Sequence, residues 1–149
     1  KEQYKLEIGK YVVPTPLEER LKLSPFVANI FVYGDNRPFN VALAVPNFEA
    51  VQSWGAENGV SETDPKKLIA NPKVRALFQA ELDEWGKAFK GFEGIKDFDL
   101  IPEDFTTENG MLTPSMKLKR RKVVEEYQGI LDALYTKKKS AGAKDEANA

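Results

Sequence analysis

The feature that most constrains the fold of this chain is a pair of apolar, β-prone runs held apart by a compact turn. Ala28 to Tyr33 is rich in Ile, Val and aromatic side chains, Gly34-Asp35-Asn36-Arg37-Pro38 comes next, and Phe39 to Val45 resumes strand-like composition. Gly, Asn and Asp tolerate the backbone angles of a tight reversal, and Pro presets one of them, so the chain is expected to fold back on itself here. A hairpin over residues 28–45 is therefore the clearest in the sequence.

The flanking segments supply both strands and helices. Tyr4, Leu6 and Ile8 alternate with Lys5 and Glu7 up to Gly9, and Tyr11-Val12-Val13 runs into Pro14, which predicts two short strands about a glycine turn. Thr15, Pro16 and Glu18 form a capping-box pattern ahead of Leu17 and Leu21, which predicts a short amphipathic helix ending near Ser24-Pro25. Phe48, Val51 and Trp54 have helical spacing before Gly55 and Gly59. From Asn71-Pro72 onward, Val74, Leu77, Phe78, Leu82, Trp85, Phe89 and Phe92 recur at steps of three and four. That stripe predicts the longest helix of the chain, ending near Gly91 or Gly94 with one face in the core. The same aromatic side chains could be read as an acyl-binding stripe, but their spacing is that of a buried helix face.

A further strand is expected at Ile95–Ile101, where Asp97 and Asp99 share strand parity and could pair. Glu103 to Pro114 is irregular and should be a loop that presents the residues behind it. Val123, Val124, Tyr127, Leu131 and Leu134 return to helical spacing, with a bend or break expected at Gly129. Residues 137–149 carry too little apolar surface to offset their ordering entropy, which predicts a disordered tail. Helices and hairpins are mixed rather than strictly alternating. This favours an α+β fold with a small, mainly antiparallel sheet, about three central strands plus an N-terminal two-stranded hairpin, packed with helices.

Composition narrows the chemistry. The 149 residues contain no cysteine and no histidine. This removes thiolate and imidazole metal ligands, a cysteine nucleophile and a histidine general base together, so neither a metal site nor a self-contained triad hydrolase is expected. With 22 basic and 23 acidic residues the net charge is −1, and no global field draws the molecule to nucleic acid or a membrane. No stretch approaches the ~20 apolar residues of a membrane span. The default expectation is a cytoplasmic protein, with peripheral membrane association of a parent left open. The first residue is Lys1 rather than Met, which suggests that the chain begins inside a longer polypeptide.

Charge is concentrated locally. Lys117, Lys119, Arg120, Arg121 and Lys122 come directly after Leu112-Thr113-Pro114-Ser115-Met116. One reading is a solvated first helical turn. Cations at a helix N-terminus oppose the macrodipole, however, which points to a ligand or a partner domain. A non-enzymatic binding module, docking nucleic acid or an acidic partner through this run, is the alternative. The neutral net charge and the lack of aromatics within the run weigh against nucleic acid.

Gly110-Met111-Leu112-Thr113-Pro114-Ser115-Met116-Lys117-Leu118-Lys119-Arg120-Arg121-Lys122 resembles the C-terminal lysine motif of adenylate-forming ligases, in the form typical of long-chain fatty acyl-CoA synthetases. Lys1 to Pro14 resembles the segment that joins the two domains of these enzymes, with Lys1 at the hinge position. The resemblance implies that residues 1–136 are the mobile C-terminal domain of an AMP-forming fatty acid:CoA ligase whose N-terminal domain is absent. It implies that Lys117 enters the active site for adenylation. It also implies that the turn at Gly9, with Lys10 near the CoA phosphates, lines the pantetheine tunnel during thioester formation. An ordinary hairpin glycine is the competing reading of Gly9, and an exposed surface lysine that of Lys10. Lys119, Arg120 and Arg121 are candidate phosphate or domain contacts. Ile8 stands where long-chain relatives commonly carry a polar residue. ATP, Mg2+ and CoA are the implied cofactors, held mainly by the missing domain, and the partners are that adenylation domain, a fatty acid and CoA. The isolated chain is expected to be catalytically inert.

Overall fold

The computed structural model describes the backbone of residues 2–148 and the side chains of residues 2–136. Lys1 and the tail 137–149, on which the hinge and disorder expectations fall, lie outside the fully described residues. The chain divides into two compact units, one up to Asp104 and one from Phe105.

The first unit opens with the expected hairpin, β1 (Tyr4–Lys5) and β2 (Tyr11–Val12), paired antiparallel. Helix α1 (Pro14–Leu21) comes next, then β3 (Val27–Tyr33) and β4 (Asn40–Pro46), helices α2 (Phe48–Glu57), α3 (Pro65–Ala70) and α4 (Pro72–Trp85), and finally β5 (Ile95–Leu100). Strands β3 and β4 form the expected antiparallel hairpin, with Ile30 opposite Ala44 and Val32 opposite Ala42. Strand β5 pairs on the other side of β4 and runs parallel to it, with Phe98 opposite Ala42 and Leu100 opposite Ala44. The three helices between β4 and β5 are the crossover that a parallel pairing requires.

One face of this sheet carries the main core. Ile30, Val32, Ala42, Ala44, Phe98 and Leu100 pack with Leu17 and Leu21 of α1, Val51 of α2, Leu68 of α3, and Val74, Phe78 and Leu82 of α4. Central strand β4 is buried along its whole length. Trp54, Trp85, Phe89 and Phe92 are partly buried against this core, so the aromatic stripe is packing rather than an acyl channel.

Three expectations are corrected in detail. Helix α4 ends at Trp85 instead of near Gly91, because the chain turns at Gly86, whose amide bonds Leu82 while the Phe89 amide bonds Gly86. Phe89 and Phe92 keep the apolar stripe going outside a continuous helix, with a short 3-10 turn at Gly91–Glu93. The capping box at Thr15 and Glu18 does not form. The helix instead starts at Pro14 behind Val13, without a side-chain cap, since prolines fit a first turn whose amides need no helical partner. Glu18 turns inward, 4% exposed, and its carboxylate accepts the Val32 amide at 2.8 Å. Val32 lies on an edge strand, so this side chain satisfies an amide that no neighbouring strand can reach. Asp97 and Asp99 do not pair: Asp99 bonds the Arg75 guanidinium at 2.9 Å, and each carboxylate also accepts the amide of the next residue.

The second unit contains an ordered loop and helix α5 (Arg120–Asn148), which has non-helical angles at Tyr127, two residues before the expected bend at Gly129. Phe105, Met111, Leu112, Val123, Leu131, Leu134 and Tyr135 are buried. No helix among the described residues is long and apolar enough to cross a membrane.

Candidate functional site

Both sequence-predicted elements are hairpin tips, and each is held by its own hydrogen bonds. At the first, the Gly9 amide donates to the Leu6 carbonyl and the Leu6 amide donates to the Lys10 carbonyl, both at 2.9 Å. Gly9 has φ +89°, in the left-handed region that costs an L-residue roughly 1–2 kcal/mol. A methyl group at Gly9 would meet nothing within 4 Å, so within this chain glycine is favoured by conformation rather than by space, and its outer side is open. Ile8 and Tyr11 beside it are 65% and 59% exposed.

This tip is mounted on the β3–β4 turn. The Asn36 amide donates to the Lys5 carbonyl and the Glu7 amide to the Arg37 carbonyl, both at 2.9 Å. Tyr4 donates its hydroxyl to Asn40 Oδ1, and the fully buried Asn40 in turn donates to the Glu93 carbonyl at 2.9 Å. Gly34 lies beneath, where any side chain would collide with Asn40, Tyr4 and Leu6. The glycine tip therefore cannot shift without disturbing a buried polar network. Lys10 extends over the Phe92 ring, 5.9 Å from its centroid. The placement fits both an ordinary surface lysine and a cation available to an anionic ligand.

At the second element, the loop expected over residues 103–114 is braced before it reaches the basic run. Thr106 and Asn109 exchange side-chain-to-amide bonds at 3.0 Å, and the Met111 and Leu112 amides both donate to the Thr106 carbonyl at 3.1 Å. Leu112 and Leu118 then form an antiparallel bridge. Between them the Met116 amide donates to the Thr113 carbonyl, and the Thr113 amide to the Lys117 carbonyl, both at 2.8 Å. The Thr113 hydroxyl accepts the Lys117 amide at 3.1 Å and lies 3.1 Å from the Ser115 hydroxyl. Met116, 68% exposed, has φ +67°.

The structure thus separates Lys117 from the cations beside it in sequence. Lys117 sits on the hairpin before α5 begins, exposed, with no side-chain ion pair or hydrogen bond among the described residues. Lys119 is the junction: its amide donates to the Met111 carbonyl at 2.8 Å and its carbonyl accepts the Val123 amide at 3.1 Å. Arg120 is half-buried in the first turn of α5. Arg121 reaches Glu125 at 3.7 Å, and its side chain is 96% exposed. Lys122 lays its stem near Gly110. The solvated-first-turn reading suits Arg121 and Lys122, but it does not apply to Lys117, which stands outside the helix.

Lys117, Lys119, Arg120 and Arg121 belong to the second unit, whereas Gly9 and Lys10 belong to the first. Sequence reasoning does not single out Met116 or Thr113 as functional. The parallel emerges only in the structure, where Gly9-Lys10 and Met116-Lys117 each close a short turn. Among the described residues no group of three or more Asp or Glu side chains could hold a metal ion.

The molecule is a small α+β protein that presents two braced hairpin tips, each with a lysine next to a left-handed residue. The family model for the AMP-binding enzyme C-terminal domain matches residues 1–139, and the chain belongs to that family. It is 36% identical over 143 residues to long chain acyl-CoA synthetase 2 of Arabidopsis thaliana, covering 94% of this chain and 22% of that protein. It is 35% identical over 133 residues to the long-chain-fatty-acid–CoA ligase FadD15 of Mycobacterium tuberculosis, covering 87% of this chain and 22% of that protein. The adenylation domain of a carboxylate reductase from Mycobacterium chelonae superimposes with a TM-score of 0.72 at 30% identity, over 90% of this chain and 19% of that one. The chain spans about a fifth of the length of these relatives.

Proposed function

We propose that this chain is the mobile C-terminal domain of an AMP-forming fatty acid:CoA ligase and serves both half-reactions by turning about a hinge at Lys1. The observation that carries the proposal is the Lys117 hairpin, an ammonium with no partner among the described residues, held out on a braced loop in a chain of this family. In the first half-reaction a fatty carboxylate attacks the α-phosphorus of ATP and pyrophosphate leaves. Negative charge builds on the phosphoryl oxygens, and the Lys117 ammonium stabilises it at the moment it forms. In the second, the CoA thiol attacks the acyl carbonyl and AMP leaves, with the open side of Gly9 against the pantetheine arm and Lys10 near the CoA phosphates.

Alternation of one domain between two constellations is a gating motion of a familiar kind. The exposed apolar side chains at the tips, Ile8 and Tyr11 at one and Met116 at the other, suit successive docking against the missing domain. Residues 1–136 form the domain in this reading, ATP and Mg2+ are held by the N-terminal domain, and the isolated chain is inert. A cytoplasmic location of the parent is part of the same proposal.

The test uses the full parent polypeptide and separates ATP–pyrophosphate exchange with a fatty acid from thioester formation using preformed acyl adenylate. A parent with neither activity would overturn the proposal. Within it, Gly9→Ala should leave exchange within about twofold and lower thioester formation roughly tenfold or more, through left-handed strain and an obstructing methyl group. Equal rates in wild type and variant would return Gly9 to the status of an ordinary hairpin glycine.

A further inference from the structure

The two hairpin tips are the same backbone device used twice. In Leu6-Glu7-Ile8-Gly9-Lys10 and in Thr113-Pro114-Ser115-Met116-Lys117, the fourth residue donates its amide to the carbonyl of the first, and the first donates its amide to the carbonyl of the fifth. The fourth residue is left-handed in both, at φ +89° and +67°, and the fifth is lysine in both. This is the bond pattern of a β-bulge closing a three-residue hairpin loop, with two residues of one strand facing a single residue of the other. The alternation of side chains breaks at such a point, and the residue after the left-handed one is re-aimed.

Glycine adopts the left-handed conformation freely, whereas methionine does so against steric resistance. Packing within this chain does not explain a side chain at position 116, because Met116 is 68% exposed. The turn itself holds the conformation, through the two backbone bonds at 2.8 Å and the Thr113 hydroxyl that accepts the Lys117 amide at 3.1 Å.

We propose that Met116 is a positioning residue for Lys117: its left-handed backbone creates the bulge that directs the Lys117 side chain, and the Thr113 hydroxyl locks the result. The proposal rests on Lys117 being the adenylation lysine. It adds that the rate of adenylation depends on the backbone angle of the residue before that lysine.

The full parent polypeptide is assayed as wild type, Met116→Val, Met116→Gly and Lys117→Ala. Valine is strongly disfavoured in the left-handed region, and Met116→Val is expected to lower ATP–pyrophosphate exchange about tenfold or more, in kcat rather than in KM for ATP. Thioester formation from preformed acyl adenylate should stay within about twofold, and Met116→Gly, which keeps the angle, should retain exchange within about threefold of wild type. Unchanged exchange in Met116→Val, with exchange lost in Lys117→Ala, overturns the proposal and leaves the lysine assignment standing. Equal losses in both half-reactions also overturn it, since general damage to the domain would do the same. Exchange preserved in Lys117→Ala brings down the assignment and the proposal together. Should Met116→Val fail to fold, Thr113→Val decides, because it removes the acceptor for the Lys117 amide, along with an exposed contact to the Ser115 hydroxyl, while leaving both backbone bonds of the turn in place. A fall in exchange of about threefold or more with thioester formation spared supports the proposal, and unchanged exchange overturns it.

Discussion

Replacing Lys117 by alanine in the parent polypeptide is expected to lower ATP–pyrophosphate exchange with a fatty acid by roughly 10²–10³-fold, the usual cost of deleting one preorganised donor to a developing oxyanion. The side chain has no partner to lose among the described residues, so truncation should leave folding and melting temperature nearly unchanged. Thioester formation from preformed acyl adenylate should also persist, because the proposed mechanism assigns that step to the Gly9 tip, which belongs to the other unit. Lys117→Arg is a graded control: it keeps the charge but replaces a compact ammonium with a planar guanidinium, and an intermediate rate is expected. If exchange survives in a folded Lys117→Ala protein, the lysine is a surface residue and the basic run returns to the docking reading.

The second large effect should be on stability. Glu18→Ala removes a buried carboxylate from the Val32 amide and leaves that amide unsatisfied on the edge of the sheet, at a cost of about 2–3 kcal/mol. A buried amide left without an acceptor loses its partner and keeps its desolvation penalty, which is larger than the net worth of the bond itself. Glu18→Gln keeps an acceptor oxygen of similar reach and should lose about 1 kcal/mol or less. Urea unfolding of the three proteins under one set of conditions measures both values. An alanine variant within ~0.5 kcal/mol of wild type would mean that water reaches the edge amide and that the carboxylate is dispensable.

These two residues illustrate different degrees of legibility. The basic run stands out because its signal is local, a cationic cluster behind a proline-stiffened loop, and Lys117 within it is singled out by the resemblance of residues 110–122 to the lysine motif of adenylate-forming ligases. Glu18 misleads, because Thr15, Pro16 and Glu18 make a plausible capping box by spacing alone. Its carboxylate accepts the amide of Val32, 14 residues away on strand β3. The end of α4 is overestimated from sequence for a related reason. Phe89 and Phe92 continue the apolar period and do face the core, but Gly86 lets the chain turn while still burying them. Helix α3 escapes a reading by periodicity although Asp64-Pro65 marks its start, since at six residues it offers too few periods to be seen.

What the sequence by itself determined is the set of local reversals and periodicities: the hairpin over β3 and β4, the glycine tip at residue 9, the helical faces, and the placement of the basic run behind a loop. These depend on φ/ψ preferences and on hydrophobic spacing, which act between residues close in the chain. Only the tertiary structure decided that β5 lies parallel beside β4, that Glu18 closes the sheet edge, that Asn40 ties Tyr4 of the N-terminal hairpin to the Glu93 carbonyl, and that Met116 is left-handed. Each of these arises from satisfying buried polar groups or closing a ladder, in most cases across long sequence separations. Such constraints exist only once the distant partners have been brought together.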